Sequence, residues 1–418
     1  MIRTRLALTT LTLVSSLFSF AAYTLLLKYL GASQRVDMLF YAASVPLSVA
    51  GVTSGVLLYL LPPRLIQLNE RNQDATVRGV GYVVLGTCAA ATVFALVMWV
   101  ADQRASFWLI WLAFANTAGM LVLTTLASCT AQARTAYLST GVAPLLTSTG
   151  LLLGSLGAIG THLEWLLVAG QWAGAVAGLW WLVRGLDMQL RGSVALALRR
   201  SRAALASLRP HALSIALGTS AFTLFQPIDA ALCTQLDSGS VSILSYAQRV
   251  LVAVGTAISL GAYAIAARSS HDALKAGGHA AVRRQTNKEA GRVVAFGLIV
   301  FVGYQLGGSL VLSALLSSSA MSGEDLMRLL DCVGWMLLGA GPMAAMPYLF
   351  RVFYAMSSYA KPAILGVGTA IVYATLSWLL LGSFELLAMA YAYAAVWWLV
   401  LMASLIWLNT APVQISVN

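Results

Sequence analysis

The chain has 418 residues, of which 60% are hydrophobic and only 9% are charged, and it carries a formal net charge of +11. Apolar runs long enough to cross a bilayer recur along it, which excludes a soluble globular protein and predicts an all-α membrane protein. The positive charge does not indicate binding to nucleic acid. Many basic residues stand in short connectors beside apolar runs, where anionic membrane lipids are the expected partners.

The apolar runs predict about twelve transmembrane helices. The first run is too long for the apolar part of a signal peptide, so it is expected to remain as a span. The predicted spans are residues 6–30, 38–61, 79–101, 107–131, 137–159, 165–183, 212–235, 242–267, 293–316, 329–351, 362–382 and 385–409.

Orientation follows from the basic residues, which collect on alternate loops. One set of loops holds twenty lysines and arginines and the other set holds four. Because basic loops stay on the cytoplasmic side, both termini are predicted to be cytoplasmic.

A basic connector at residues 185–211 divides the chain into an N-terminal six-helix bundle, 1–184, and a C-terminal six-helix bundle, 212–418. Within it, Val194, Leu198, Leu205 and Leu208 form one helical stripe flanked by arginines. This pattern is typical of a helix that lies in the membrane interface. Recruitment of a soluble partner is the alternative interpretation of the connector.

The two halves resemble each other weakly at an offset of 205 residues. The residues that recur are Ser33, Val36, Leu39, Tyr41, Ala42, Val45, Val49 and Ser54, which match Ser238, Val241, Leu244, Tyr246, Ala247, Val250, Val254 and Ser259. Because each half has an even number of spans, the match predicts a parallel pseudo-repeat about an axis along the membrane normal. Two bundles related in this way suit alternating access, so transport is favoured over chemistry.

The apolar hairpin 223–267 contains two opposite charges, Asp229 and Arg249. Each stands roughly eight residues from the turn between the two spans, which places both about 12 Å deep. A charge at membrane depth costs at least about 2.5 kcal/mol and usually marks a pathway or a partner. The pair is therefore a candidate functional site, and a structural ion pair between the two spans is the alternative.

Other polar residues have a structural interpretation as well as a functional one. Lys28 and Arg35 stand at outer span ends, where they either snorkel to the surface or contact a substrate. Asp37 precedes an apolar run and is expected to act as an N-cap and dipole partner of the second span, or in coupling. The four cysteines and four histidines show no metal spacing, and no nucleotide-binding glycine loop is visible. No enzyme, metal or cofactor is predicted.

Four segments of the chain carry short motifs. Two such motifs, Gly239-Ser-Val-Ser242 and Tyr246-Ala-Gln-Arg249, stand in the third segment. The segments are Leu30–Pro46, Thr135–Leu146, Gln226–Arg249 and Phe353–Pro362. In order and spacing they resemble the MviN/MurJ lipid II flippase family. That family belongs to a superfamily that includes MATE-type exporters and polysaccharide flippases.

The resemblance implies a MATE/MurJ-like fold in the bacterial inner membrane. It implies a flippase that moves a polyprenyl-pyrophosphate-linked glycan, lipid II-like or an exopolysaccharide or O-antigen unit, from the inner to the outer leaflet. The implied headgroup-binding residues are Arg249, Lys28, Arg35 and Gln226. Asp229 and Asp37 would form ion pairs or couple a cation, Na⁺ or H⁺, with the membrane potential as the other energy source. A MATE-type cation-coupled drug antiporter is the alternative function.

The chain departs from the family pattern in its first two spans. Where the family carries an Arg-Asp pair, this chain has Ala22-Tyr23, and where the family's second span is basic it reads Val52-Thr-Ser-Gly55. The chain is also expected to have twelve spans, whereas the family has two more, which form a lipid groove. These departures predict a less cationic cavity, and hence a headgroup that differs from that of lipid II.

Overall fold

The computed structural model describes residues 2–66, 68–101, 105–161, 163, 165–188, 193–259, 262–317, 319–356 and 358–410. Within these ranges the chain is helical and holds no strand, which confirms the predicted all-α class. The helices are α1 (Ile2–Leu30), α2 (Gln34–Ile66), α3 (Glu70–Ala101), α4 (Ala105–Ala133), α5 (Tyr137–Thr161), α6 (Trp165–Gly185), α7 (Val194–Thr223), α8 (Phe225–Cys233), α9 (Ser240–Ser259), α10 (Ala262–Gly303), α11 (Ser309–Leu316), α12 (Gly323–Leu338), α13 (Ala340–Ala355), α14 (Ala360–Phe384) and α15 (Leu387–Thr410). A π-helical turn, Tyr304–Gly308, joins α10 to α11.

By length and composition, the described helices supply between nine and eleven of the predicted spans. Nine are long and apolar enough to cross a membrane alone, and two bent pairs, α7 with α8 and α12 with α13, add one span each. The predicted eighth span, 242–267, begins in a shorter apolar helix, Ser240–Gly255. Residues 260–261 of that span lie outside the described residues.

The helices pack as two compact units. One unit is Met1–Ser245 with Ser319–Ser322, and the other is Tyr246–Ser318 with Gly323–Asn418. In the first unit α2 packs against α4 and α7, and α5 packs against α1 and α6. In the second, α10 packs against α13, and α15 packs against α12, α13 and α14. The division into two six-helix bundles joined by 185–211 stays a prediction.

The basic connector continues into the seventh span as one helix. Ser193 caps α7, with its side-chain oxygen accepting a hydrogen bond from the backbone N–H of Leu196 at 3.4 Å. The face buried against α3 carries Ala197 and Ser201, while Val194 and Leu198 of the predicted stripe are exposed. Binding of this stripe to the interface stays a prediction, and residues 189–192 and the side chains of 205 and 208 lie outside the description.

The bend of the seventh span has a local cause in the sequence. α7 and α8 meet at 45°. Pro227 has no backbone N–H, so the carbonyl of Thr223, four residues earlier, loses its helical donor. The hydroxyl of Ser48 on α2 donates to that carbonyl at 2.6 Å. The bend therefore leaves no orphaned acceptor at this carbonyl, and it is tied to α2.

The second bent span repeats this arrangement with different residues. α12 and α13 meet at 43°. Pro342 removes the donor that the carbonyl of Leu338 would otherwise receive. The indole N–H of Trp398 on α15 donates to this carbonyl at 3.1 Å. Both bends thus depend on a side chain from a neighbouring helix.

Ser48→Ala and Trp398→Phe are each expected to lower the free energy of unfolding by about 1–3 kcal/mol, because each leaves a carbonyl of a bent span without its donor. Thermal unfolding of the purified variants measures the loss. Pro227→Ala restores a backbone donor for Thr223, so Ser48→Ala should cost less in that background than alone. Equal costs in both backgrounds would contradict this account of the bend.

A buried ion pair joins three helix ends at the side of the first unit that is predicted to be cytoplasmic. A guanidinium nitrogen of Arg134 lies 2.7 Å from the Asp74 carboxylate, and the two side chains are 12% and 5% exposed. Arg134 also donates to the side-chain oxygen of Gln73 at 3.0 Å and to the carbonyl of Leu186 at 2.8 Å. The cluster holds together the starts or ends of α3, α4 and α6. The sequence analysis missed it, because Asp74 and Arg134 are 60 residues apart.

Arg134→Ala is expected to lower the free energy of unfolding by about 3–5 kcal/mol, because it leaves the buried Asp74 carboxylate without its counter-charge. The matched control is Arg292→Ala, which removes an exposed pair with Glu289 and should cost at most about 1 kcal/mol. Adding Asp74→Asn to the Arg134→Ala variant should recover part of the loss. Similar melting temperatures for Arg134→Ala and the control would show that the buried pair does not stabilise the unit.

Candidate functional site

Asp229 and Gln226 lie on α8, the short segment after the first bend. Asp229 is 4% exposed, and Gln226 is half-buried. The break that starts α8 follows from Pro227, as described above. Discontinuous spans of this kind commonly line substrate and ion sites in transporters, because a broken helix brings polar groups to membrane depth.

Arg249 is half-buried on α9, in the part of that helix that belongs to the second compact unit. Asp229 belongs to the first unit. Both residues take part in polar or electrostatic interactions. The pairing of Asp229 with Arg249 stays a prediction.

The side chain of Asp37 accepts three hydrogen bonds from the start of α9. One carboxylate oxygen accepts from the backbone N–H of Gly239 at 2.5 Å. The other accepts from the backbone N–H of Ser242 at 2.7 Å and from its hydroxyl at 2.5 Å. Asp37 thus caps the first turn of α9, where a negative charge also complements the helix dipole.

The predicted N-cap role of Asp37 at the second span is wrong, because α2 begins at Gln34. Asp37 lies in the first turn of α2, where a dipole partner of that helix would stand. Its oxygens, however, bind the start of a different helix, more than 200 residues away in the chain. The distance between Asp37 and Ser242 in the sequence is 205 residues, which is the offset of the predicted repeat. The spacing of 205 residues was visible in the sequence, but it did not show that Asp37 in the first copy of the repeat contacts Ser242 in the second.

The turn between α1 and α2 carries further contacts beside Asp37. The backbone N–H of Ala320 donates to the carbonyl of Lys28 at 2.8 Å. Gly31 has a φ of +66°, and a Cβ there would lie 2.8 Å from the carbonyl oxygen of Ala320. Gly239 has a φ of +96°, and a Cβ there would lie 3.0 Å from the carbonyl oxygen of Ala32. The start of α9 and residues 319–322 thus both rest on this turn, so Lys28 contributes its backbone to the contact.

The second span packs on α7 at the position where the family is basic. A Cβ on Gly51 would lie 2.6 Å from the Thr223 methyl group, and one on Gly55 would lie 2.7 Å from the Thr219 methyl group. The hydroxyl of Thr125 on α4 donates to Ser54 at 3.1 Å. A large basic side chain at residue 55 would displace α7. The departure from the family pattern therefore coincides with a close helix contact.

Arg35 is exposed at the start of α2 and lines a cavity of about 470 Å³ inside the first unit. The other lining residues come from α2, α4 and α6. They are Met38, Leu39, Leu109, Ile110, Ala113, Trp165 and Val168. The sequence analysis placed Arg35 at an outer span end but did not predict this cavity.

Among the described residues, no group of three or more histidine, cysteine, aspartate or glutamate side chains is arranged to hold a metal ion. None of the four cysteines forms a disulfide, and Cys129, Cys233 and Cys332 are buried.

The helices and bent spans have the MATE-like fold of a multi-pass membrane protein. Solved structures with this fold include a lipid II flippase MurJ in an inward closed conformation, at 13% identity and a TM-score of 0.77, covering 97% of this chain and 88% of that chain. An inward-facing multidrug resistance MATE family transporter matches at 12% identity and a TM-score of 0.72, covering 97% of each chain. A MOP superfamily transporter from Pyrococcus furiosus matches at 11% identity and a TM-score of 0.64, covering 97% of this chain and 94% of that chain.

The family of lipid II flippase MurJ matches residues 26–415. The chain belongs to this family, which confirms the resemblance drawn from the four motif segments. A comparison with curated protein sequences finds no significant match. The family is one of flippases and not of catalytic enzymes.

Proposed function

We propose that the protein is a flippase that moves a polyprenyl-pyrophosphate-linked glycan from the inner to the outer leaflet by alternating access. The observation that carries the proposal is the family match along residues 26–415. The basic loops of the protein support an orientation in the bacterial inner membrane with both termini in the cytoplasm. The same loops are expected to bind anionic lipids.

The contact of Asp37 with α9 supports a gate at the outer end. It joins α2, in the first six predicted spans, to the start of the eighth predicted span. All three donors are uncharged groups. Water can take their place when the contact opens, so the closed state is stabilised without a strong ion pair that would block opening. In the proposed cycle this contact forms when the cavity faces the cytoplasm and separates when the headgroup is released outside.

The proposed role of Arg249 is to bind the pyrophosphate of the headgroup. A guanidinium forms two parallel hydrogen bonds with phosphate oxygens, and such charge-assisted bonds are strongest away from bulk water. Gln226 would contact the glycan from α8. Asp229, buried on the same segment, would orient Arg249 or bind a coupling cation.

The substrate proposed is a lipid-linked glycan other than lipid II, such as an exopolysaccharide or O-antigen unit. Ala22 is fully buried and Tyr23 is 6% exposed, with the ring of Tyr23 packed 5.8 Å from that of Phe40. The first span thus presents packed apolar groups where the family carries an Arg-Asp pair. Together with the α2–α7 contact at Gly55, this supports a cavity with fewer cations.

Deleting the gene tests the function. The proposal predicts that one lipid-linked glycan intermediate accumulates on the cytoplasmic side of the membrane. Accumulation of lipid II would keep the flippase and change its substrate. If the lipid pools are unchanged and the protein confers drug resistance on a sensitised host, the function is that of a MATE-type cation-coupled drug antiporter and not of a flippase.

A further inference from the structure

The cavity beside Arg35 lies within one compact unit, and the described residues that line it include none from α8 or α9, which carry Gln226, Asp229 and Arg249. Its walls are the first turns of α2 and α6 and the first three turns of α4. At about 470 Å³ it falls in the size range of small-molecule and lipid-chain sites, roughly 300–1,000 Å³. It is therefore large enough to hold part of a ligand.

The bottom of the cavity is apolar and fixed. Leu39 and Val168 are each 2% exposed and belong to a hydrophobic cluster with Phe114. Ile110 and Ala113 pack against the same cluster. Because these side chains are held by the core, the cavity does not depend on a mobile loop. Its lower part suits a hydrocarbon chain, since it offers apolar atoms as neighbours.

The rim differs in chemistry from the bottom. Leu109 and Trp165 are 47% and 55% exposed, so the cavity opens at the surface of the unit. Arg35 is the second residue of α2 and Trp165 is the first residue of α6. Arginine and tryptophan at span ends are typical of the headgroup level of a bilayer. The rim is thus expected at interface depth, with the apolar bottom extending beside it.

We propose that this cavity binds an anionic phospholipid of the bilayer, with the phosphate on Arg35 and one acyl chain in the apolar pocket. A guanidinium forms two parallel hydrogen bonds with one phosphodiester, and the apolar bottom beside it has room for one acyl chain, so the cavity matches the two parts of a bilayer phospholipid. Binding of the polyprenyl-pyrophosphate substrate in its place is an outcome that the test below distinguishes. Asp37 follows Arg35 by two residues on α2, so a lipid bound here would also steady the start of α2 beside the proposed gate.

Native mass spectrometry of the full-length protein in detergent tests the site. The probes are phosphatidylglycerol and phosphatidylcholine with identical acyl chains, titrated onto partially delipidated protein. Arg35→Gln should weaken phosphatidylglycerol binding by about tenfold and remove the preference over phosphatidylcholine. Ala113→Phe should weaken both lipids, because it fills the pocket, and Ala113→Leu is the milder variant if the phenylalanine prevents folding.

The matched control is Arg328→Gln in α12, which stands outside the basic loops and is paired with Glu324 at 2.7 Å. It should leave both affinities unchanged. Unchanged phosphatidylglycerol affinity in Arg35→Gln and in the Ala113 variants would overturn the proposal. A pocket that binds a polyprenyl phosphate but neither phospholipid would overturn it as well. The glycan export measured after gene deletion is independent of these outcomes.

Discussion

Replacing Arg249 by alanine is expected to abolish glycan export at an unchanged protein level. Arg249 is half-buried on α9. In the first span, where the family carries a further cation, this chain has the buried Ala22 and Tyr23. In the proposed function, the headgroup would therefore depend on Arg249 for more of its counter-charge. Without it, the desolvated pyrophosphate loses charge-assisted hydrogen bonds that are worth about 1.5–3 kcal/mol each.

The measurement is the amount of exported glycan in cells that carry each variant in place of the native gene, with the protein level followed by immunoblot. Arg249→Lys separates charge from geometry, because it keeps the charge but loses the two-pronged contact. The control Arg292→Ala removes an exposed arginine of α10 and should export normally. Normal export by Arg249→Ala would refute the assignment of the headgroup site.

Replacing Asp37 by alanine is expected to prevent the outer contact from closing. The change removes the acceptor of three hydrogen bonds, from Gly239 and from two groups of Ser242. Bonds to a charged group contribute about 1.5–3 kcal/mol each, so the closed population should fall by at least about tenfold. Export should fall with it, because a cavity that stays open outside cannot be loaded from the cytoplasm.

Labelling of Ala32→Cys with a membrane-impermeant maleimide reports this opening, because Gly239 packs against Ala32 in the closed contact and leaves it only partly exposed. The background carries Cys88→Ser, since the other three cysteines are buried. Asp37→Ala should accelerate labelling, whereas Ser238→Ala, at an exposed serine of the same turn, should not. Equal labelling rates with and without Asp37 would show that the carboxylate does not hold the contact.

Span positions could be read from the sequence because each depends on a local property, the apolar run. The bend at Pro227 was also predictable, since a proline inside a span removes a donor from its own helix. The group that replaces the donor was not predictable. Ser48 comes from a helix 175 residues earlier, and only the packing of α2 on α7 brings it to Thr223.

The candidate site shows the same limit. Burial of Asp229 followed from its depth in an apolar hairpin. The role of Asp37 did not follow from its neighbours, because the same carboxylate fits the start of its own helix or of another one. The cavity at Arg35 arises where three helices meet, and no single stretch of sequence contains it.

Reconstitution tests the central claim most directly. Purified protein is placed in proteoliposomes with the lipid-linked glycan that accumulates in the deletion strain, and its appearance in the opposite leaflet is followed with a membrane-impermeant glycan-modifying enzyme. The account predicts translocation by the native protein and none by Arg249→Ala. The native protein must first be shown to be folded and to bind the glycan lipid. If it then translocates the glycan lipid no faster than empty liposomes do, the account is contradicted.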